Sequence, residues 1–240
     1  MESPAFSDAR QQDVAAVRAA LDHAATSGQT AKLAMMTAAE LCALGALSHP
    51  VIDARTLSWW DAREDRETLA RDAYGYLARR ELIDPETGRV SPALGLILAG
   101  RSRPAFIMIS RETPVAEPNM LRVYGIAEDP GVLRAVLVEA ALPTSADWAG
   151  PIYEYVLTGT AQAGQKLADW AAAGKNRTLD LYLPGKGTDL PAERIVVTPA
   201  RRHHLRVERQ TPSVMTPESL TCDQEALAGL LAGIMTGACQ

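Results

Sequence analysis

Several stretches of this chain carry residue types that do chemistry in other proteins. Pro184-Gly185-Lys186-Gly187-Thr188 has the glycines and lysine of a phosphate loop. Such a loop needs GxxxxGK[ST] between a strand and a helix, so that backbone amides and a helix N-terminus converge on one anion. Here the glycine and lysine are misplaced and strands are expected on both sides, so the stretch reads as a polar hairpin connection. His203-His204 follows Arg201-Arg202, but neighbours on a strand face opposite sides and do not easily reach one metal. A solvated strand end accounts for them better. Cys42, Cys222 and Cys239 are an odd number without CxxC spacing, which argues against a disulfide framework and a structural zinc site. Three unpaired thiols are expected, with Cys42 buried in a helix. No GxSxG, HExxH or dinucleotide fingerprint occurs, and the acidic residues are scattered without a pair assignable as acid and base. Asn176-Arg177-Thr178 matches a glycosylation sequon, which is idle in a cytoplasm. The expectation is a non-enzymatic chain with no catalytic residues, no cofactor and no metal.

Composition narrows the partners. The 240 residues carry a formal net charge of -5, with 47% apolar and 22% charged side chains, which is ordinary for a globular chain long enough to bury a sizeable core. A negative balance gives no general attraction to nucleic acid or anionic lipid, so either would need a local basic patch. The start MESPAFSDAR has an early acid and no signal-peptide core, and no apolar run reaches bilayer length. A cytoplasmic location without a membrane partner is expected.

The elements that must position any site are clearest between Arg63 and Ser110. Glu64 to Arg80 is read as a long charged helix with Leu69, Ala73, Tyr76 and Leu77 on its buried face. Asp84-Pro85-Glu86-Thr87-Gly88 is a turn in which Pro presets φ and Gly accepts a positive one. Ser91 caps a helix with Pro92 in its first turn, Gly100 is read as its left-handed end, and Ala105 to Ser110 as a buried strand.

Before this region, residues 1 to 12 are polar and read as frayed. Asp13 caps a peripheral helix carrying Val14, Val17, Ala20 and Leu21, ended by Gly28. Thr37-Ala38-Ala39-Glu40 is a capping box opening a helix with Leu41, Leu44 and Leu47, stopped at His49-Pro50. Trp59 and Trp60 are placed in the connection that follows. After it, Glu112 to Asn119 is a loop, Met120 to Ala127 a strand in a hairpin with Ala105 to Ser110, and Asp129-Pro130-Gly131 a turn or cap. Val132 to Ala141 fits a helix or a buried strand. Pro151 to Leu157 is a strand with Tyr153 and Tyr155 on one face, and Gly159 to Ala173 a helix closed by Gly174. Alternation marks three more strands around Leu179 to Leu183, Ile195 to Val197 and Leu205 to Val207. They imply an antiparallel sheet with one wet or helix-covered face. The chain closes on an amphipathic helix, Asp223 to Thr236, whose Gly229 and Gly233 can admit another backbone. That helix docks either internally or on a second copy, as a homodimer.

The helix from Thr37, the longer helix and the following turn also fit a winged helix, a DNA-binding regulator in which the longer helix enters the major groove. Its charges disfavour that alternative. Arg63, Arg66, Arg71, Arg79 and Arg80 are balanced by Glu64, Asp65, Glu67, Asp72 and Glu81, whereas a phosphate-contacting helix carries a positive surplus. The arginines are expected to form i, i+4 ion pairs with these acids.

Taken in order, ELCALGAL, a Trp-containing connection, YLARRELID, GRVSPALGLILAGRSRPAFIMISRE and RVYGIAED resemble the N-terminal half of EspG proteins. These are cytosolic chaperones of actinobacterial type VII (ESX) secretion. The likeness is strongest over Thr37 to Asp129. It implies one α+β domain over 1–240: a central antiparallel sheet flanked by helical bundles, with winged-helix-like helices near the N-terminus. Residues 1–30 would be a peripheral helix, 37–130 a first half and 131–240 a second. It also implies a helical, PE-PPE-like secretion substrate as client, its apolar tip held among aromatic anchors inside a polar rim. The anchors so implied are Trp148, in the Thr144 to Gly150 loop, with Tyr153, Tyr155, Ile234 and Met235. For each of them ordinary core packing is the alternative.

Overall fold

The computed structural model describes residues 15–24, 26–47, 50–112, 121–129, 132–146, 148–184, 190–201, 204–212 and 216–239. Asp13, Val14, His49, the loop after Glu112, Pro130-Gly131, Gly185 to Thr188 and His203 lie outside those residues. In chain order the elements are α1 (15–24), β1 (Ala31–Thr37), α2 (Ala38–Ala43), α3 (Pro50–Asp61), α4 (Arg66–Arg79), α5 (Pro92–Ser102), β2 (Ile107–Glu112), β3 (Leu121–Asp129), β4 (Val132–Ala146), β5 (Gly150–Thr158), α6 (Thr160–Ala172), β6 (Arg177–Tyr182), β7 (Glu193–Pro199), β8 (Leu205–Gln210), β9 (Glu218–Cys222) and α7 (Gln224–Gly237).

The class is α+β. The nine strands among the described residues form one sheet in the order β1-β5-β4-β3-β2-β6-β7-β8-β9, and every neighbouring pair is antiparallel. Strands on both sides of residue 131 therefore share a single hydrogen-bonded ladder. Period-two alternation assigns two cores to its two faces. On one face Ile107, Ile109, Tyr124, Leu137, Tyr153 and Tyr155 pack with Leu41 of α2, Leu77 of α4 and Leu94 and Ile97 of α5. On the other face Met108, Val123, Val138, Val156, Leu179 and Ile195 pack with Leu167 of α6 and Leu227, Leu231 and Met235 of α7. Over β7 and β8 the first face is left wet: Arg194, Arg206 and Gln210 are exposed while Ile195, Val197, Leu205 and Val207 are buried.

Local chemistry sets the helix ends. The Thr37 hydroxyl accepts from the Glu40 amide while the Glu40 carboxylate accepts from the Thr37 amide, a complete capping box. Ser91 accepts from the Leu94 amide with Pro92 in the first turn, and Asp223 accepts from the Ala226 amide. In the turn after α4, Asp84 accepts from the amides of Glu86 and Thr87, Gly88 takes φ +70°, and an Ile83–Val90 bridge closes the loop.

Of the two readings of Val132 to Ala141, the strand holds: lying between β3 and β5, it is apolar toward both cores, so its pattern lacks a period. Several other expectations are corrected. The Thr37 helix ends at Ala43, and Pro50 opens α3 instead of ending a helix, since its missing N–H costs nothing in a first turn. Trp59 and Trp60 therefore lie on α3, with ring centroids 6.2 Å apart. Gly100 is internal to α5: a Cβ there would lie 2.9 Å from the Leu137 side chain, so glycine serves close packing and not a left-handed end. The acidic partners of the arginines are not the i, i+4 acids. Arg63 pairs with Asp65, Arg66 with Asp61 and Arg80 with Glu40 of α2.

Gly229 and Gly233 face open space, and the close helix approach is made by Gly164 of α6. A Cβ on Gly164 would sit 2.5 Å from the Ala228 carbonyl oxygen and 3.1 Å from the Ala232 amide nitrogen. Gly164→Ala is expected to lower the unfolding free energy by about 1–3 kcal/mol, because α6 and α7 must part. Gly233→Ala, with nothing in its way, is expected to raise it by about 0.4–1 kcal/mol. Urea midpoints of the two variants check the contrast.

Candidate interaction surface

The turn between β4 and β5 carries Trp148. It is anchored from below: Ala149 is fully buried and its carbonyl accepts from the Ala39 amide at 3.1 Å, an otherwise unpaired group in the first turn of α2. Gly150 adopts φ +73° and leaves room for the Trp59 ring, which would meet a Cβ at 3.0 Å. With the backbone held this way, Trp148 projects outward and stays 42% exposed.

Trp148 stacks on Tyr76, with centroids 5.0 Å apart and an interplanar angle of 29°. Tyr76 is also 42% exposed. The buried stripe of α4 is Leu69, Ala73 and Leu77, an i, i+4, i+8 series, so Tyr76 is displaced from the core-facing position that its i+7 spacing implied. Arg79 lies 4.2 Å over the Tyr76 ring and pairs with no carboxylate among the described residues. One turn along α4 from Tyr76, Arg80 donates from Nη1 to the Met35 carbonyl at 2.8 Å and pairs with the buried Glu40 carboxylate at 3.0 Å. Met35 on edge strand β1 is 53% exposed. Trp148 and Tyr76 thus form an exposed aromatic pair with the Arg79 guanidinium over one ring.

The scaffold beneath is polar and closed. Opposed residues Arg122, Glu139 and Tyr155 make one row across β3, β4 and β5. Arg101 enters from α5 and Asp53 from α3. Glu139 pairs with Arg101, accepts from Arg122 at 2.6 Å, and accepts from Tyr155 at 2.6 Å and Tyr124 at 3.2 Å. Asp53 accepts from Arg101 at 2.8 Å and Arg122 at 3.2 Å, and Arg101 also donates to the Ala46 carbonyl at 2.9 Å. Two guanidiniums face two carboxylates, so the cluster is neutral, as complete burial demands. Burial opposes ionisation of Glu139, yet Arg101, Arg122 and the tyrosine hydroxyls hold it below the usual carboxylate range. Burial pushes the Tyr155 and Tyr153 hydroxyls up, and raises the Cys42 thiol to about 12, with Asp53 adding to the shift. Cys42 is accordingly a poor nucleophile at neutral pH.

The expected anchors separate into two groups. Tyr155 and Met235 are fully buried and Tyr153 nearly so. The Tyr153 hydroxyl shares a 3.1 Å hydrogen bond with Thr56, so these residues are core in this structure, because α3 and α6 cover the faces they line. Ile234 is half-buried at the margin of the second core, on the opposite side of the sheet from Tyr153 and Tyr155. Trp148 alone of the five is prominently exposed, and the fold joins it to Tyr76, which the sequence had placed on a buried helix face. Cys42, Cys222 and Cys239 are free and half-buried. Among the described residues no three potential metal ligands cluster, and no helix is long and apolar enough to cross a membrane.

The sequence matches no known family model and no curated protein.

Proposed function

We propose that this chain is a non-enzymatic, cytoplasmic binding protein of the EspG kind, which shields an apolar helical end of a secretion substrate on the Trp148–Tyr76 stack. In this reading α2 to α5 and α6 with α7 are the helical bundles flanking the sheet. The observation that carries it is the stack of two large aromatics held in water by a rigid, buried support. Exposed aromatic surface is unfavourable unless a partner covers it, and tryptophan, tyrosine and arginine are the side chains that dominate protein interfaces. Arg79, which stacks on Tyr76 without a carboxylate partner among the described residues, supplies a charge suited to acidic groups beside an apolar tip.

Co-expression with a PE-PPE-type pair from the native host tests the reading. It expects a soluble complex of fixed stoichiometry, and a client that remains insoluble or unbound would overturn it. A mobility shift with random duplex DNA at low salt tests the competing winged-helix reading. The expected result is no shift, since the arginines of α4 are balanced by acids or engaged with Asp61, Glu40 and Tyr76. Clear, salt-sensitive binding would favour the DNA-binding regulator instead.

A further inference from the structure

Among the described residues the sheet ends on β1 and β9, and these two edges are built differently. On β1 the pairing with β5 is broken by an irregularity between Lys32 and Ala34. Lys32, 81% exposed, pairs with Glu154, and the Arg80 guanidinium occupies the Met35 carbonyl. An irregular ladder, an edge lysine and a capped carbonyl are devices that prevent strand addition. On β9 none of these occurs. Its pairing with β8 runs without a break from Cys222 to Glu218, Glu218 to Thr221 are exposed, and among the described residues no side chain or turn hydrogen-bonds to its backbone from outside the sheet.

We propose that β9 pairs antiparallel with β9 of a second copy of this chain, about a two-fold axis at Leu220, so that the sheet continues through both copies. The register follows from symmetry. An axis normal to the sheet keeps equivalent faces on one side, so opposed residue numbers must have an even sum. Only an axis at Leu220 engages the whole five-residue strand. Leu220 then meets Leu220 of the second copy, Ser219 meets Thr221, and Glu218 meets Cys222. Apolar and hydroxyl pairs are opposed where cross-strand neighbours reinforce one another, and no like charges face each other. Glu218 is further compensated by Arg209 of β8 at 3.8 Å. A short strand pair buries less than the ~1,000 Å² of a stable interface, so the association is weak and concentration-dependent.

Sedimentation velocity of the full chain from about 1 to about 200 µM reads the association directly. The wild type is expected to shift from monomer to dimer over that range. Leu220→Lys is expected to stay monomeric throughout, because two ammonium groups would meet on the axis, whereas Met35→Lys on the other edge dimerises like the wild type. As a readout that does not depend on a destabilising change, Leu220→Cys in oxidised glutathione is expected to give a disulfide-linked dimer. Met35→Cys, on an equally accessible edge, is expected to give none. A wild type that is monomeric at every concentration overturns the proposal. So does failure of Leu220→Cys to cross-link, or a dimer abolished by Met35→Lys and untouched by Leu220→Lys.

Discussion

Glu139→Gln is expected to lower the unfolding free energy by about 3–5 kcal/mol, the cost of leaving one of two buried guanidiniums without its counter-charge. The replacement keeps the shape of the side chain and removes only the charge that Arg101 and Arg122 share. Glu154→Gln supplies the contrast. It breaks the ion pair with a lysine that is 81% exposed, and less than about 1 kcal/mol is expected to be lost. Burial decides between the two cases: each glutamate pairs with a cation at hydrogen-bonding distance, and only one pair is out of water. The pH dependence has a fixed sign. The folded-state pKa of Glu139 is depressed, so its contribution is fully present above the unfolded-state value and is lost as pH falls through the folded one. Chemical denaturation from neutral to acid pH should show an acid-side decline in stability that is shallower in Glu139→Gln than in the wild type. Equal slopes would mean that Glu139 does not carry its charge in the native protein.

How much of this was legible in the chain depends on whether the controlling interactions are local. The capping box at Thr37, the Ser91 and Asp223 caps and the Asp84 turn are settled within a few residues, and the sequence marks each of them. The strands from β6 to β8 are equally plain, because one face is buried and the other wet and their side chains alternate accordingly. Where both faces are buried the signal fades, as in β4, whose residues Ala135 to Glu139 are all buried. The edge strands were missed for the opposite reason. In AKLAMMT the first core takes Met36 while Met35 points to solvent, and ESLTC is mostly exposed, so neither has the apolar alternation of a half-buried strand.

The buried cluster illustrates a harder limit. Asp53, Arg101, Arg122 and Glu139 come from four separate elements, and only the strand register brings Arg122 opposite Glu139 and Glu139 opposite Tyr155. One hint was available. Glu139 shares the parity of Leu137 on β4, so a charge had been placed on a core-facing position, which implies a buried partner. The same register explains why Tyr153 and Tyr155 are core and why Trp148, seven residues before Tyr155, is not.

The second large effect concerns Trp148. Trp148→Ala removes one ring of the stack and is expected to weaken client binding by about 2 kcal/mol, roughly 30-fold in Kd, with little loss of stability because the ring is 42% exposed. Tyr76→Ala is expected to act in the same direction. The two losses should sum to less than their arithmetic total, since each ring orients the other. Arg79→Glu should slow association more than it speeds dissociation, as rim charges do.

The most direct measurement is a calorimetric titration of a purified PE-PPE-type pair into the wild type and into Trp148→Ala, with thermal unfolding recorded for both. A client-binding surface centred on Trp148 predicts saturable binding by the wild type and a Kd roughly 30-fold higher for the variant at nearly unchanged Tm. Equal affinities for the two proteins, or no binding by either, would contradict it.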